Sequence, residues 1–143
     1  MKHSLTTLVM ILFVSLLTAA PSWSEGTSVD DLVERDGLLY KKFTEVPFTG
    51  EIDEGSYQGS LKNGKPEGTW VAYHDNGQLK TKGDWKNGKE EGPWVYYYDN
   101  GQLFTKGVIK NGKQEGPWVT YSEDGTVDNA LTGTYKNDKK ISD

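Results

Sequence analysis

Past residue 24 the sequence offers few groups able to do covalent chemistry. It contains no cysteine, which removes thiol nucleophiles, disulfide staples, Cys-based zinc sites and a lipid-modified N-terminal Cys. Of its 2 histidines only His74 lies beyond that point, so the usual His-centred triads and clusters of His ligands cannot be assembled. Two carboxylate pairs could do acid–base work or hold Ca²⁺: Glu90 beside Glu91, and Glu51 with Asp53 on one strand face. Neither has a dense ligand spacing, and solvated surface charge accounts for both. The expectation is no enzyme, no cofactor and no metal.

Non-covalent chemistry is better represented. Trp70, Trp94 and Trp118 recur every 24 residues, so they line up along any regular array. Structural stacking is the default for such a stripe. Its alternative is a binding face, where aromatic rings receive sugars or a quaternary ammonium. Lysines recur as well, at Lys62, Lys86, Lys110 and Lys136 and at Lys65, Lys89, Lys113 and Lys139. Glu67, Glu91 and Glu115 accompany them, which points to cross-strand ion pairs on a solvated edge.

The elements that carry these residues follow from the repeat. Aligning Gly59, Gly83 and Gly107 gives three near-copies, and a fourth begins at Gly133 after an insertion at Leu131-Thr132. A fixed period settles the architecture first. Each copy holds two turn signals: Asn63-Gly64, Asn87-Gly88 and Asn111-Gly112, then Asn76-Gly77, Asn100-Gly101 and Asp124-Gly125. Such dipeptides suit hairpins because both central residues tolerate positive φ. The segments between are short and rich in Trp, Val, Tyr, Leu and Thr, as strands are. The fold class is therefore all-β: an elongated antiparallel meander of stacked 24-residue β-hairpins.

Alternation along the strands assigns faces. Val71 and Tyr73, Val95 and Tyr97, and Val119 and Tyr121 share one face and, with Leu61, Trp85 and Ile109, form the expected interior. The Gly heading each copy lets a neighbouring ring lie on bare backbone. The opposite face begins at Trp70, Trp94 or Trp118 and continues through varying positions, among them His74, Tyr96 and Tyr98. Trp70, His74, Trp94, Tyr96, Tyr98 and Trp118 are thus the candidate partner-binding residues, with Tyr96 and Tyr98 at the centre.

Three segments are expected. Residues 1–24 read as a secretory signal peptide: Lys2, an apolar run from Leu5 to Ala20, Pro21, and small residues up to a cleavage point after Ser24. The rival reading of that stretch is an uncleaved anchor. Residues 25–58 are an acidic lead-in and degenerate capping repeat, with 9 acidic and 3 basic side chains. Residues 59–143 hold the three full copies and the partial fourth, with 12 charges of each sign. The net charge of −5 argues against nucleic-acid binding through a basic surface.

The pattern Gly59-x-x-Lys62-Asn63-Gly64-Lys65-x-Glu67-Gly68-x-Trp70-x-x-Tyr73 resembles the MORN repeat. More closely, the copies resemble the bacterial variant found in YwqK-like antitoxins, whose start is similar to Val46-Pro47-Phe48-Thr49-Gly50. The resemblance covers about residues 36–137. It implies stacked hairpins used for protein or lipid contact, without intrinsic catalysis. For an exported chain, periplasmic or extracellular, an antitoxin role would require a secreted or envelope toxin as the protein partner. A second resemblance competes: Gly83-x-Trp85-Lys86-x-Gly88-Lys89 with Trp94-Val95-Tyr96-Tyr97 is similar to choline- and cell-wall-binding repeats. The period here is longer, and Leu61, Ile109 and Tyr135 stand where those repeats carry Trp. Anionic-lipid binding through the lysines is a third reading, which the recurring glutamates disfavour.

Overall fold

A computed structural model describes residues 26–143. The signal-peptide assignment to 1–24 lies outside the described residues. From Gly26 the chain makes a 3₁₀ turn (Val29–Asp31) and then eleven strands: β1 (Leu32–Arg35), β2 (Leu38–Lys41), β3 (Gly50–Ile52), β4 (Tyr57–Lys62), β5 (Lys65–Tyr73), β6 (Leu79–Lys86), β7 (Lys89–Tyr97), β8 (Leu103–Lys110), β9 (Lys113–Thr120), β10 (Gly133–Lys136) and β11 (Lys139–Ser142). Strands β3 to β11 form one 9-stranded sheet in sequence order, every pair antiparallel. The meander is as expected.

Two turn chemistries build it. At Asn63-Gly64, Asn87-Gly88 and Asn111-Gly112 both residues take positive φ, with Asn at 51, 52 and 53° and Gly at 76, 79 and 78°. These are two-residue type I′ turns, whose twist matches that of the strands. The second set differs from expectation. Only Gly77, Gly101 and Gly125 are left-handed there, and Gly77 N–H donates to the His74 carbonyl while His74 N–H donates to Gln78. That is a type I turn followed by a glycine bulge. Asn76, Asn100 and Asp124 serve it through their side chains, accepting from Gln78, Gln102 and Thr126 at 3.0, 2.8 and 2.9 Å.

Copies are tied at the type I′ tips. Gly88 N–H donates to the Pro66 carbonyl, Gly112 N–H to that of Glu90, and Asp138 N–H to that of Gln114. Glu67, Glu91 and Glu115 accept the backbone N–H of Asn87, Asn111 and Asn137, one turn further on, at 2.7, 2.8 and 3.2 Å. The lysine–glutamate ion pairs expected here are not what the glutamates do. A two-residue turn makes its flanking residues partners, so Lys62 faces Lys65, Lys86 faces Lys89, and Lys110 faces Lys113. Among the described residues the ion pairs are Arg35–Glu45 and Lys140–Asp143.

The first segment joins by the same contacts. Asp36-Gly37 is a further turn with both φ positive, and the β1–β2 hairpin it closes pairs outside the large sheet. Gly64 N–H donates to Phe48, and the Thr49 hydroxyl accepts Asn63 N–H at 2.8 Å, where later copies use Glu. At the other end, the inserted Thr132 bonds Thr120 through its hydroxyl, filling the gap before β10.

The core lies on one face of the sheet and contains Leu61, Trp85 and Ile109 as expected, but not the valines and tyrosines expected with them. Trp94 and Trp118 are 4% and 2% exposed and pack with buried Ile109 and with Trp85, Tyr96 and Tyr135; Leu61 of β4 and Ala72 of β5 are buried as well. Val71, Val95 and Val119 are only half-buried, because the register sets Val71 and Val95 opposite Lys82, and Val119 opposite Lys106. That face is solvated, with lysines among the valines. Trp94 and Trp118, at the start of the face expected to vary, are interior, which agrees with structural stacking as the default for the stripe and not with an open binding face. The expectation for the heading glycines holds: a Cβ on Gly59, Gly83 or Gly107 would overlap the indole of Trp70, Trp94 or Trp118.

Candidate functional site

The bulge before each Trp turns it inward. Gly68, Gly92 and Gly116 have φ of 75, 84 and 75°. In β7 the register against β6 jumps from Trp94 opposite Gly83 to Glu91 opposite Asp84, leaving Gly92-Pro93 as the extra residues. Trp70 and Trp118 then donate their indole N–H to the Ser60 and Val108 carbonyls at 3.0 and 3.1 Å. The buried Trp94 indole N–H has no partner among the described residues.

Around the central copy this inner face opens into a groove of about 330 Å³. Trp70, Trp85, Trp94 and Tyr96 wall it, Tyr57 and Leu39 flank it, and Glu90 is its one charged side chain. The rings are mutually braced. Trp85 meets Trp94 edge-on at 6.0 Å, Trp94 stacks on Tyr96 at 5.9 Å, and Tyr96 lies 6.5 Å from Trp118. Glu90 stands opposite Trp85 across β6 and β7. Burial pushes its carboxyl above the ordinary Glu range. The Tyr96 hydroxyl is pushed up to about 12, first by burial and then by the negative charge of Glu90.

Of the six candidate residues, Trp70, Trp94 and Tyr96 therefore meet in one groove. Trp118 packs behind Tyr96, and both Trp94 and Trp118 are too buried to offer a broad face to a partner. His74 and Tyr98 are not among the groove residues. They occupy one repeat position and do one job: His74 Nε2 bonds the Tyr97 carbonyl at 3.0 Å, and the Tyr98 hydroxyl donates to the Tyr121 carbonyl at 2.9 Å. Each bridges to the next copy. Glu90 was assigned to solvated surface charge and is instead half-buried among rings. The signal that could have exposed it is the repeat itself, since the same position holds Pro66 and Gln114 in the flanking copies.

Nothing in the groove assembles acid–base or nucleophilic chemistry, because one carboxylate stands there without a second titrating group near neutrality. Among the described residues no group of three His, Cys, Asp or Glu could hold a metal ion, and no helix is long and apolar enough to cross a membrane. What the groove can do is bind.

The fold and groove define a β-hairpin repeat module. The family model of the MORN repeat variant matches residues 66–87 and 90–111, two successive copies that contain Trp70, Trp85, Glu90, Trp94 and Tyr96. MORN repeats are often protein- or membrane-binding modules and generally non-catalytic, which fits a non-enzymatic repeat scaffold. No curated protein matches the chain.

Proposed function

We propose that this chain is an exported, non-enzymatic scaffold that presents the groove face of its sheet to a protein partner. One observation carries this: a half-open aromatic groove on a sheet whose copies are locked by hydrogen bonds at the hairpin tips. Aromatic residues in such pockets are typical anchors of protein interfaces, and a rigid face binds with little ordering entropy. Lys2 and the apolar run from Leu5 to Ala20 support export. The likeness of the copies to antitoxin repeats supports neutralisation of a secreted or envelope toxin as the task.

Affinity capture from cell-envelope extract tests the reading, with the tagged protein and its Tyr96→Ala variant side by side. One protein retained stoichiometrically by the parent and lost by the variant, with the circular dichroism of the two alike, is the expected result. Recovery of wall material released by free sugar or choline would overturn it in favour of a glycan-binding module.

The facing lysines favour a second reading. Lys62/Lys65, Lys86/Lys89 and Lys110/Lys113 put like charges opposite one another at successive tips. A row of that kind attracts an anionic surface. Retention on anionic vesicles that collapses as salt rises would identify it.

A further inference from the structure

The central copy departs from its neighbours at three positions that meet in space. Position three holds Leu61, Trp85, Ile109 and Tyr135 in the successive copies. The residue after the second lysine is Pro66, Glu90 or Gln114, and the residue two past the repeated Trp is Ala72, Tyr96 or Thr120. Only the middle copy combines two large aromatics with a carboxylate, and all three line the groove. Interior packing alone does not call for that carboxylate, since Pro66 and Gln114 occupy its place elsewhere.

Among the described residues the Glu90 carboxylate has neither a hydrogen bond nor an ion pair. The lysines nearest in the pairing scheme, Lys86 and Lys89, form the adjacent rung, whose side chains alternate to the other face, and neither makes an ion pair with Glu90. The groove thus combines a half-buried carboxylate, unpaired among the described residues, with the accessible faces and edges of Trp70, Trp85 and Tyr96. Aromatic rings attract cations, and more strongly where water is excluded. A partly buried carboxylate accepts best from a charged N–H donor.

We propose that this groove receives a lysine side chain of the protein partner, its alkyl stem against the indoles and its ammonium head on Glu90. The assignment rests on the scaffold reading and names what that scaffold recognises. A primary ammonium fits better than a quaternary one because the unpartnered carboxylate oxygens need N–H donors, which a quaternary ammonium lacks. Guanidinium has the donors too, but its apolar stem is one methylene shorter than that of lysine and covers less of the ring surface.

The test is a titration of the ¹⁵N-labelled protein with Nα-acetyl-lysine N-methylamide, followed through the indole N–H resonances of Trp85 and Trp94. Saturable shifts are expected. The neutral norleucine analogue and the Glu90→Gln variant should each bind at least about tenfold more weakly. Equal binding of the norleucine analogue, equal binding by Glu90→Gln, or no saturable shift would overturn the proposal. Tighter binding of tetramethylammonium than of the lysine probe would overturn the choice of a primary ammonium. If Glu90→Gln fails to fold, acidifying the parent protein until Glu90 is protonated must weaken the lysine probe in its place. A partner captured by the parent and lost by Tyr96→Ala, with the lysine probe inert, would leave the scaffold standing and remove only the lysine.

Discussion

Replacing Gly83 by alanine isolates the contact on which the stacking of copies rests. The Gly83 backbone lies outside the left-handed region, so alanine is conformationally acceptable and the effect is steric. The new Cβ would fall onto three atoms of the Trp94 indole. That ring cannot slide freely, because Trp85 and Tyr96 hold it at 6.0 and 5.9 Å. Overpacking of a core costs about 1–3 kcal/mol, and a braced ring places this case near the upper end. The lower chain entropy of alanine offsets about 0.5–1 kcal/mol. A net loss of about 2 kcal/mol follows. In urea, with a slope of about 1–3 kcal/mol per molar, that moves the unfolding midpoint down by roughly 1 M at unchanged slope. The Trp94→Leu variant removes the ring, so the double variant should show a coupling of at least about 1 kcal/mol. Gly37→Ala is the comparator. Its φ of +74° penalises alanine, but no atom lies within 4 Å, so it should not couple to Trp94. A midpoint for Gly83→Ala equal to or above that of the parent, or additivity with Trp94→Leu, would refute the packing argument.

Three further outcomes are expected. Glu91→Gln weakens the bond that holds the Asn111 turn and should lower stability by about 1 kcal/mol in urea titration, whereas Lys113→Gln, next to the same turn, should change little. Asn87→Ala places an ordinary residue at φ 52° and should cost about 1 kcal/mol, while Asn87→Gly should stay within about 0.5 kcal/mol; thermal melts of the two variants decide it. Glu90 is a carboxyl whose folded pKa lies above its unfolded one, so the native state holds the proton longer. Stability should therefore fall as pH rises through that window, and Glu90→Gln should melt higher than the parent at pH 7 but not at pH 3. A bound lysine probe should reduce the difference at pH 7.

What the sequence made legible is what local chemistry decides. Asn-Gly between two lysines gives a left-handed pair in each copy, and a glycine 11 residues before each Trp marks the place where a ring lies on backbone. Alternation within one strand, by contrast, says which residues share a face and not which faces coincide across strands. That depends on register, and the register contains bulges at Gly92-Pro93 and its equivalents. The valines and tyrosines are identical from copy to copy, yet identity between copies does not by itself mean interior. In the structure Val95 stands opposite Lys82, and the invariance belongs to a half-solvated face. The lysine pairs needed no structure at all: in Lys-Asn-Gly-Lys a two-residue turn leaves the lysines no other partner. The glutamates then had to find other work, and the next turn supplied it.

The candidate site was hidden for a different reason. Its lining comes from β5 to β7, from Tyr57 at the start of β4 and from Leu39 of β2, and each residue alone has a bland explanation. Trp85 is one of several large residues at its repeat position, and Glu90 is one polar residue among charged ones. Only the register brings Trp85 opposite Glu90 and Tyr96 opposite Thr81 on the face that already holds Trp94. A repeat protein satisfies its fold with the positions that stay constant, here Gly, Trp and the turn residues. Varying positions fill the interior too, with Leu61, Ala72 and Ile109 in the flanking copies, so it is the carboxylate, confined to one copy, that the fold does not call for. Glu90 sharpens that inference, because burying a carboxylate among rings is unfavourable until something positive sits on it.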